Sequence, residues 1–218
     1  MYFRQLFDPV DHAYTYLLAD AQGGDAVVID PSLAQATLIL ALLQEAGLRL
    51  RHVLRTHVHP PARSICGQLC EHTGAGLIVG RGCGLALPGR KVGQGDEVRF
   101  GAEALRVIAT PGHTPACVCY LWRDRLFCGD TLSLRISERL AEDADPGALY
   151  DSVRRHIFTL PAETLVFPGH DLAGRTVSTI AEERTQHREF SSLTREQFIT
   201  RCRREHGSHL LSLGSGLW

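Results

Sequence analysis

In four places along the 218-residue chain a short apolar run ends directly in histidine or aspartate. Residues 50–55 run into Thr56-His57-Val58-His59, and 105–109 into Thr110-Pro111-Gly112-His113-Thr114. Residues 125–128 run into Gly129-Asp130, and 164–167 into Pro168-Gly169-His170-Asp171. Runs of this length and composition read as strands. Ionisable groups at the C-terminal ends of strands constrain the topology strongly, because in α/β architectures those ends open onto the crevice where ligands bind.

The remaining sequence supplies the other layers. Residues 14–18 and 26–29 read as strands around a Gln22-Gly23-Gly24-Asp25 turn, the second broken by Asp30-Pro31. A helix is expected from Ser32 through Leu43, with Gln35 at the capping-box position and Gly47 at its C-terminus. Residues 62–72, 147–158, 176–187 and 195–205 also read as helical, 77–79 as a strand, and the alternating run 117–122 as a half-buried strand. Strands mixed with helices imply stacked α and β layers. With no fixed-period repeat and no Pro-, Gly- or Ser-rich linker, 1–218 reads as a single domain in which 189–218 form a C-terminal helix and tail. The apolar, Gly-rich residues 210–218 either pack on the body or contact a second subunit in a homodimer.

Charge narrows the partners. Twenty-three Lys plus Arg against 24 Asp plus Glu leave a net charge of -1, so no positive excess serves a nucleic-acid backbone or an anionic membrane. No apolar stretch approaches bilayer length. Seven cysteines, an odd number, behind an N-terminus without a secretory pattern, point to reduced thiols and a cytoplasmic location.

His57, His59, His113, Asp130 and His170 thus lie in loops just after strands, which is how a fold gathers distant residues around one ion. Imidazole with carboxylate suits zinc or iron. The motifs Thr56-His57-Val58-His59, Pro111-Gly112-His113-Thr114, Phe127-Cys128-Gly129-Asp130-Thr131 and Pro168-Gly169-His170-Asp171 resemble the successive metal-site motifs of the metallo-β-lactamase superfamily. That resemblance implies an αββα sandwich, two mixed sheets flanked by helices. Within the superfamily the chain more closely resembles the persulfide dioxygenases (sulfur dioxygenases). The residues that carry this are Phe3-Arg4-Gln5-Leu6-Phe7-Asp8-Pro9-Val10, Thr15-Tyr16-Leu17-Leu18, Phe158-Thr159-Leu160-Pro161, Thr176-Val177-Ser178-Thr179-Ile180 and Glu182-Glu183-Arg184-Thr185. Glyoxalase II is a more distant likeness.

The chain also departs from the superfamily, whose first motif continues as His-x-His-x-Asp-His. Here Pro61 and Ala62 stand where the Asp and His that serve a second metal belong, and neither side chain can ligate an ion. A two-metal hydrolytic site of the usual form is therefore not expected. The resemblance implies His57, His113 and Asp130 as ligands of one Fe(II) per chain, a set that leaves open positions for a persulfide sulfur and O2. The implied reaction oxidises glutathione persulfide, or a related low-molecular-weight persulfide, to sulfite and free thiol. His59 and His170 are assigned to orienting ligands or bound water. If zinc sits on His57, His59 and His113 instead, the alternative is a mononuclear glutathione-thioester hydrolase; a non-catalytic thiol-binding relative is a third reading.

Arg135, Arg139 and Arg175 are candidates for the substrate carboxylates, since a guanidinium fork matches a carboxylate. The neighbours of Arg135 and Arg139, Ile136-Ser137-Glu138 and Leu140-Ala141-Glu142, differ from the family's Gly-Cys-Gly and Thr-Asp-Phe. Cys66 and Cys70, and Cys117 and Cys119, read as core packing. His12 is near enough in sequence to the 7–10 motif to approach the site mouth, while His52, His72, His156, His187, His206 and His209 read as surface residues. Gly112 and Gly169 allow tight turns beside the ligands.

Overall fold

A computed structural model describes residues 2–58, 63–84, 89–132, 144–170 and 175–214. The first of two six-stranded sheets holds β1 (Tyr2–Asp8), β2 (Ala13–Ala19), β3 (Asp25–Ile29), β4 (Arg49–Leu54), β5 (Gly76–Gly80) and β6 (Arg90–Val92), in that order. The second holds β7 (Glu97–Phe100), β8 (Glu103–Ala109), β9 (Val118–Trp122), β10 (Arg125–Gly129), β11 (Leu165–Pro168) and β12 (Ser178–Thr179), also in sequence order. Both sheets are mixed: β3 to β6 run parallel beside the antiparallel β1–β2–β3, and β10 and β11 are parallel within an otherwise antiparallel set.

Side chains alternate across a strand, and that alternation builds the layers. Tyr16, Leu18, Val27 and Ile29 point between the sheets, where they pack with Val107, Tyr120, Trp122 and Phe127. Leu17, Ala19, Ala26 and Val28 face the other way and meet Ile39 and Leu43 of α1 (Ala36–Glu45) and Leu69 of α2 (Arg63–Thr73). The outer face of the second sheet, with Ile108, Cys119 and Leu126, is covered by helices. These are α3 (Pro146–Ser152), α4 (Ile180–Gln186), α5 (Glu189–Ser192) and α6 (Arg195–Gly214), which contribute Leu149, Ile180, Phe190 and Phe198. The result is the expected αββα sandwich. At about 1.5–3 kcal/mol for each large apolar side chain withdrawn from water, burial on three interfaces drives it.

Several local expectations are corrected. No capping box forms at Ser32: a single 3-10 turn (Leu33–Gln35) intervenes, the Ser32 side chain makes no cap bond, and Gln35 is buried. The Ser32 N–H donates instead to Thr15 Oγ1 at 3.1 Å, so a tertiary contact overrides the local motif. The helix expected over 176–187 begins at Ile180, because Ser178–Thr179 pair with β11 and Thr179 forms a capping box with Glu182. β9 is almost wholly buried rather than half-buried, since its sheet is covered on both faces. β1, β6 and β7 are strands beyond those expected from the sequence. His187 is 2% exposed, not a surface residue, because Phe190 of α5 packs against its ring.

Candidate metal centre

Each ligand candidate stands just beyond a strand's C-terminal end: His57 after β4, His113 after β8, Asp130 after β10 and His170 at the end of β11. The loops are locked to one another by backbone bonds. Val118 N–H donates to Thr56 O at 2.8 Å, tying the His57 loop to the second sheet, and Gly169 N–H donates to Gly129 O at 2.9 Å, holding the His170 loop against Asp130. The His113 loop packs on α3 with no room to spare. Gly112 has φ +147°, and a Cβ there would lie 2.4 Å from Leu149 N, Cα and Cβ.

These constraints bring His57, His113 and Asp130, all buried, into one cluster whose ligand atoms lie within 4.8 Å of one another. Asp130 Oδ2 is 3.7 Å from His57 Nε2 and 3.8 Å from His113 Nε2. The two imidazole rings meet nearly edge-on, with centroids 5.2 Å apart at 79°. His170 stands to one side, its Nδ1 hydrogen-bonded at 2.7 Å to Asp130 Oδ1. Burial opposes a charge on Asp130, but the attraction of His57, the hydrogen bond and charge of His170, and the charge of His113 outweigh it. They hold the carboxyl well below the usual carboxylate range. An ionised carboxylate with two imidazoles converging on one point is a donor set that fits a divalent iron or zinc ion.

His59, Pro61, Ala62, Arg135 and Arg139 lie outside the described residues. Arg175 turns inward, its Nη1 bonded to Gln186 Oε1 and 3.4 Å from Glu183 Oε1. His12 is exposed at a positive φ of 51°, next to Ala13, which forms a β-bridge with His170. Tyr14 N–H donates to Gly169 O at 2.8 Å, so the β1–β2 hairpin buttresses the His170 loop.

Two residues that the sequence reading passed over are Asp30 and Thr56. The Asp30 carboxylate receives Thr56 N–H at 2.9 Å and Thr56 Oγ1–H at 2.5 Å, and Thr56 Oγ1 lies 2.9 Å from His57 Nδ1. The available signal was that Asp30, like the ligands, directly follows an apolar run.

A second ionic cluster lies under α4. His187, at the C-cap of this helix, is 3.1 Å from Glu183 Oε2 and 3.2 Å from Glu189 Oε1. Burial disfavours its charge, yet the two carboxylates prevail and raise its pKa from 6.5 to about 9.

Comparison with known proteins agrees with this geometry. A sequence profile of the metallo-beta-lactamase superfamily matches residues 67–170. The chain is 41% identical over 202 residues to mouse (Mus musculus) mitochondrial persulfide dioxygenase ETHE1, covering 90% of this chain and 78% of that protein. It is 40% identical over 162 residues to hydroxyacylglutathione hydrolase of Rhodospirillum rubrum, covering 72% of this chain and 62% of that protein. The crystal structure of ETHE1 from Myxococcus xanthus superposes with a TM-score of 0.83 at 40% identity, covering 93% of this chain and 90% of that one.

Proposed function

The chain belongs to the persulfide dioxygenase family of the metallo-β-lactamase superfamily and is a dioxygenase by that membership, and from this premise we propose that it oxidises a low-molecular-weight persulfide, glutathione persulfide first among them, at a single Fe(II). The reaction takes persulfide, O2 and water to free thiol and sulfite. The observation that carries the reading is the convergence of two imidazoles and one carboxylate, His57, His113 and Asp130, in a chain whose first motif has Pro61 and Ala62 in place of second-metal ligands.

When bound, Fe(II) supplies the redox chemistry and the open coordination positions that let O2 and a sulfur react side by side. The protein's own residues do the rest. His57 and His113 present Nε2 atoms, and Asp130 presents Oδ2, from loops held by the backbone bonds above and by the packing of Gly112 on α3. His170 occupies the other Asp130 oxygen and so restricts this carboxylate to one donor atom at the centre. Burial of all three donors excludes bulk water, which strengthens their electrostatic hold on a cation. We assign His59 a place beside the ligands. Arg135, Arg139 and, with its guanidinium already engaged by Gln186, Arg175 are the cations available to substrate carboxylates.

Among the described residues no helix is long and apolar enough to cross a membrane. Cys70, Cys83, Cys117, Cys119, Cys128 and Cys202 are free thiols, which suits a reducing compartment such as the cytoplasm. The mammalian relatives are named as mitochondrial.

The test is oxygen uptake by anaerobically Fe(II)-loaded protein on addition of glutathione persulfide, with Asp130→Ala as control. Uptake matched by sulfite and lost in the control is expected. No uptake despite stoichiometric iron would defeat the reading. Turnover of a glutathione thioester by the zinc-loaded protein would then favour the hydrolase chemistry named for the R. rubrum relative.

A further inference from the structure

We propose that Asp30, acting through Thr56, is a positioning residue that fixes which ring nitrogen of His57 carries the proton. The inference rests on His57 being a metal ligand, as the proposed function requires, and follows from counting hydrogens. Thr56 Oγ1 has one hydrogen, and it is committed to Asp30 Oδ2 at 2.5 Å. The contact of 2.9 Å between Thr56 Oγ1 and His57 Nδ1 can then be a hydrogen bond only if Nδ1–H donates. Nε2 is left with its lone pair, and Nε2 is the atom that faces Asp130 Oδ2.

The surroundings hold this relay in place. Asp30 Oδ1 accepts the Thr56 N–H at 2.9 Å, so the carboxylate grips the residue at two points. Asp30 itself has φ +49°, a conformation that aspartate tolerates better than most residues and that costs roughly 1 kcal/mol. Its own N–H donates to Leu54 O at 2.9 Å, and its carbonyl accepts Thr15 Oγ1–H at 2.9 Å, which pins that conformation. Thr56 is 2% exposed, so water does not compete for its hydroxyl. Opposite it, a Cβ on Gly129 would come within 2.3 Å of Thr56 Oγ1, so the absence of a side chain there keeps the hydroxyl where it is.

The sharpest test is Asp30→Asn, which keeps the shape and reverses the polarity. The Thr56 N–H needs an acceptor, so the amide oxygen stays on it and the amide NH2 faces Thr56 Oγ1. The hydroxyl then accepts from the amide and turns its hydrogen toward His57 Nδ1, which puts the ring proton on Nε2, where a metal must bind. In full-length protein freed of metal and labelled with 15N-histidine, NMR is expected to show His57 protonated at Nδ1 in the wild type and at Nε2 in Asp30→Asn. Co(II) titration, followed by its visible absorption, is expected to show affinity reduced about 10- to 100-fold in Asp30→Asn and in Thr56→Val, and largely kept in Thr56→Ser. An unchanged tautomer with unchanged Co(II) affinity in Asp30→Asn would overturn the proposal. So would a loss in Thr56→Ser equal to or greater than that in Thr56→Val, since serine keeps the hydroxyl that the relay needs and valine keeps only the methyl group. Should Asp30→Asn fail to fold, the Thr56 pair decides alone. Neither readout involves O2 or a persulfide, so failure of the relay and failure of the dioxygenase reading give different results.

Discussion

Asp130 divides its two carboxylate oxygens, giving Oδ1 to His170 Nδ1 at 2.7 Å and leaving Oδ2 to face the Nε2 atoms of His57 and His113 at 3.7 and 3.8 Å. One oxygen is therefore an anchor and the other a donor. A carboxylate free to turn would offer either oxygen, or both, to a cation. His170 removes that freedom.

Removing a donor and removing the anchor should differ. Asp130→Ala and His113→Ala are expected to abolish iron binding and activity together. His170→Ala should keep the metal but weaken its binding by about 10- to 100-fold, the usual cost of losing a partner that orients a ligand. Metal content after dialysis against graded chelator distinguishes the cases. Iron loss from His170→Ala as complete as from His113→Ala would make His170 a ligand instead.

Gly112 offers a test from the backbone side. An alanine there would drive its Cβ into the α3 backbone at Leu149 from a positive φ. Overpacking and the left-handed conformation together should cost about 2–4 kcal/mol. Urea denaturation would measure this. Iron affinity should fall as well, because the displaced segment carries His113. A variant with wild-type stability would mean that the loop relaxes away from α3 at little cost.

The same packing logic explains what could be read in advance. His57, His113, Asp130 and His170 were legible because each ends an apolar run, and a parallel or mixed sheet delivers such positions to one edge. β6 and β7 escaped because, at three and four residues, they are too short to show a period. Asp30 looked like a strand breaker, and its carboxylate's partner, 26 residues away, is a tertiary fact. His187 caps the C-terminus of a seven-residue helix, in line with the buried Ile180 and Glu183, and Phe190 of α5 packs against its ring. A single ionisable residue just past so short a helix shows no period of its own, so its burial is a tertiary fact.

The buried thiols should be inert. Burial pushes the Cys117 thiol up to about 12 and the Cys119 thiol up to about 11, against hydrogen bonds from Thr114 and Thr110 that pull the other way. Since the thiolate is the nucleophile, neither thiol should exchange with a persulfide or a maleimide at neutral pH. Peptide mass spectrometry after brief native labelling should find Cys117, Cys119 and Cys128 unmodified and, after denaturation, fully labelled. Rapid native labelling of Cys119 would show that the second sheet opens toward solvent.

Stability should depend on pH through the cluster under α4. His187 is 3% exposed in its side chain and has its pKa raised from 6.5 to about 9, so the folded state favours its protonated form. That contribution is complete below pH 6.5 and is lost as pH rises through about 9; the shift corresponds to about 3 kcal/mol. Glu183 and Glu189 are displaced the other way: burial raises their pKa values, but His187, together with Ser178 and Arg175 at Glu183 and Arg201 at Glu189, brings them below the ordinary value. Their contribution is complete above the ordinary value of 4.5 and is lost as pH falls through the lower folded values. Urea denaturation should therefore show stability declining between pH 6.5 and 9. His187→Gln should start about 3–5 kcal/mol lower at pH 6, because it removes the buried cation that lies between the Glu183 and Glu189 carboxylates. It should also lose the alkaline decline. A decline of undiminished slope in His187→Gln would place the titrating group elsewhere in the molecule.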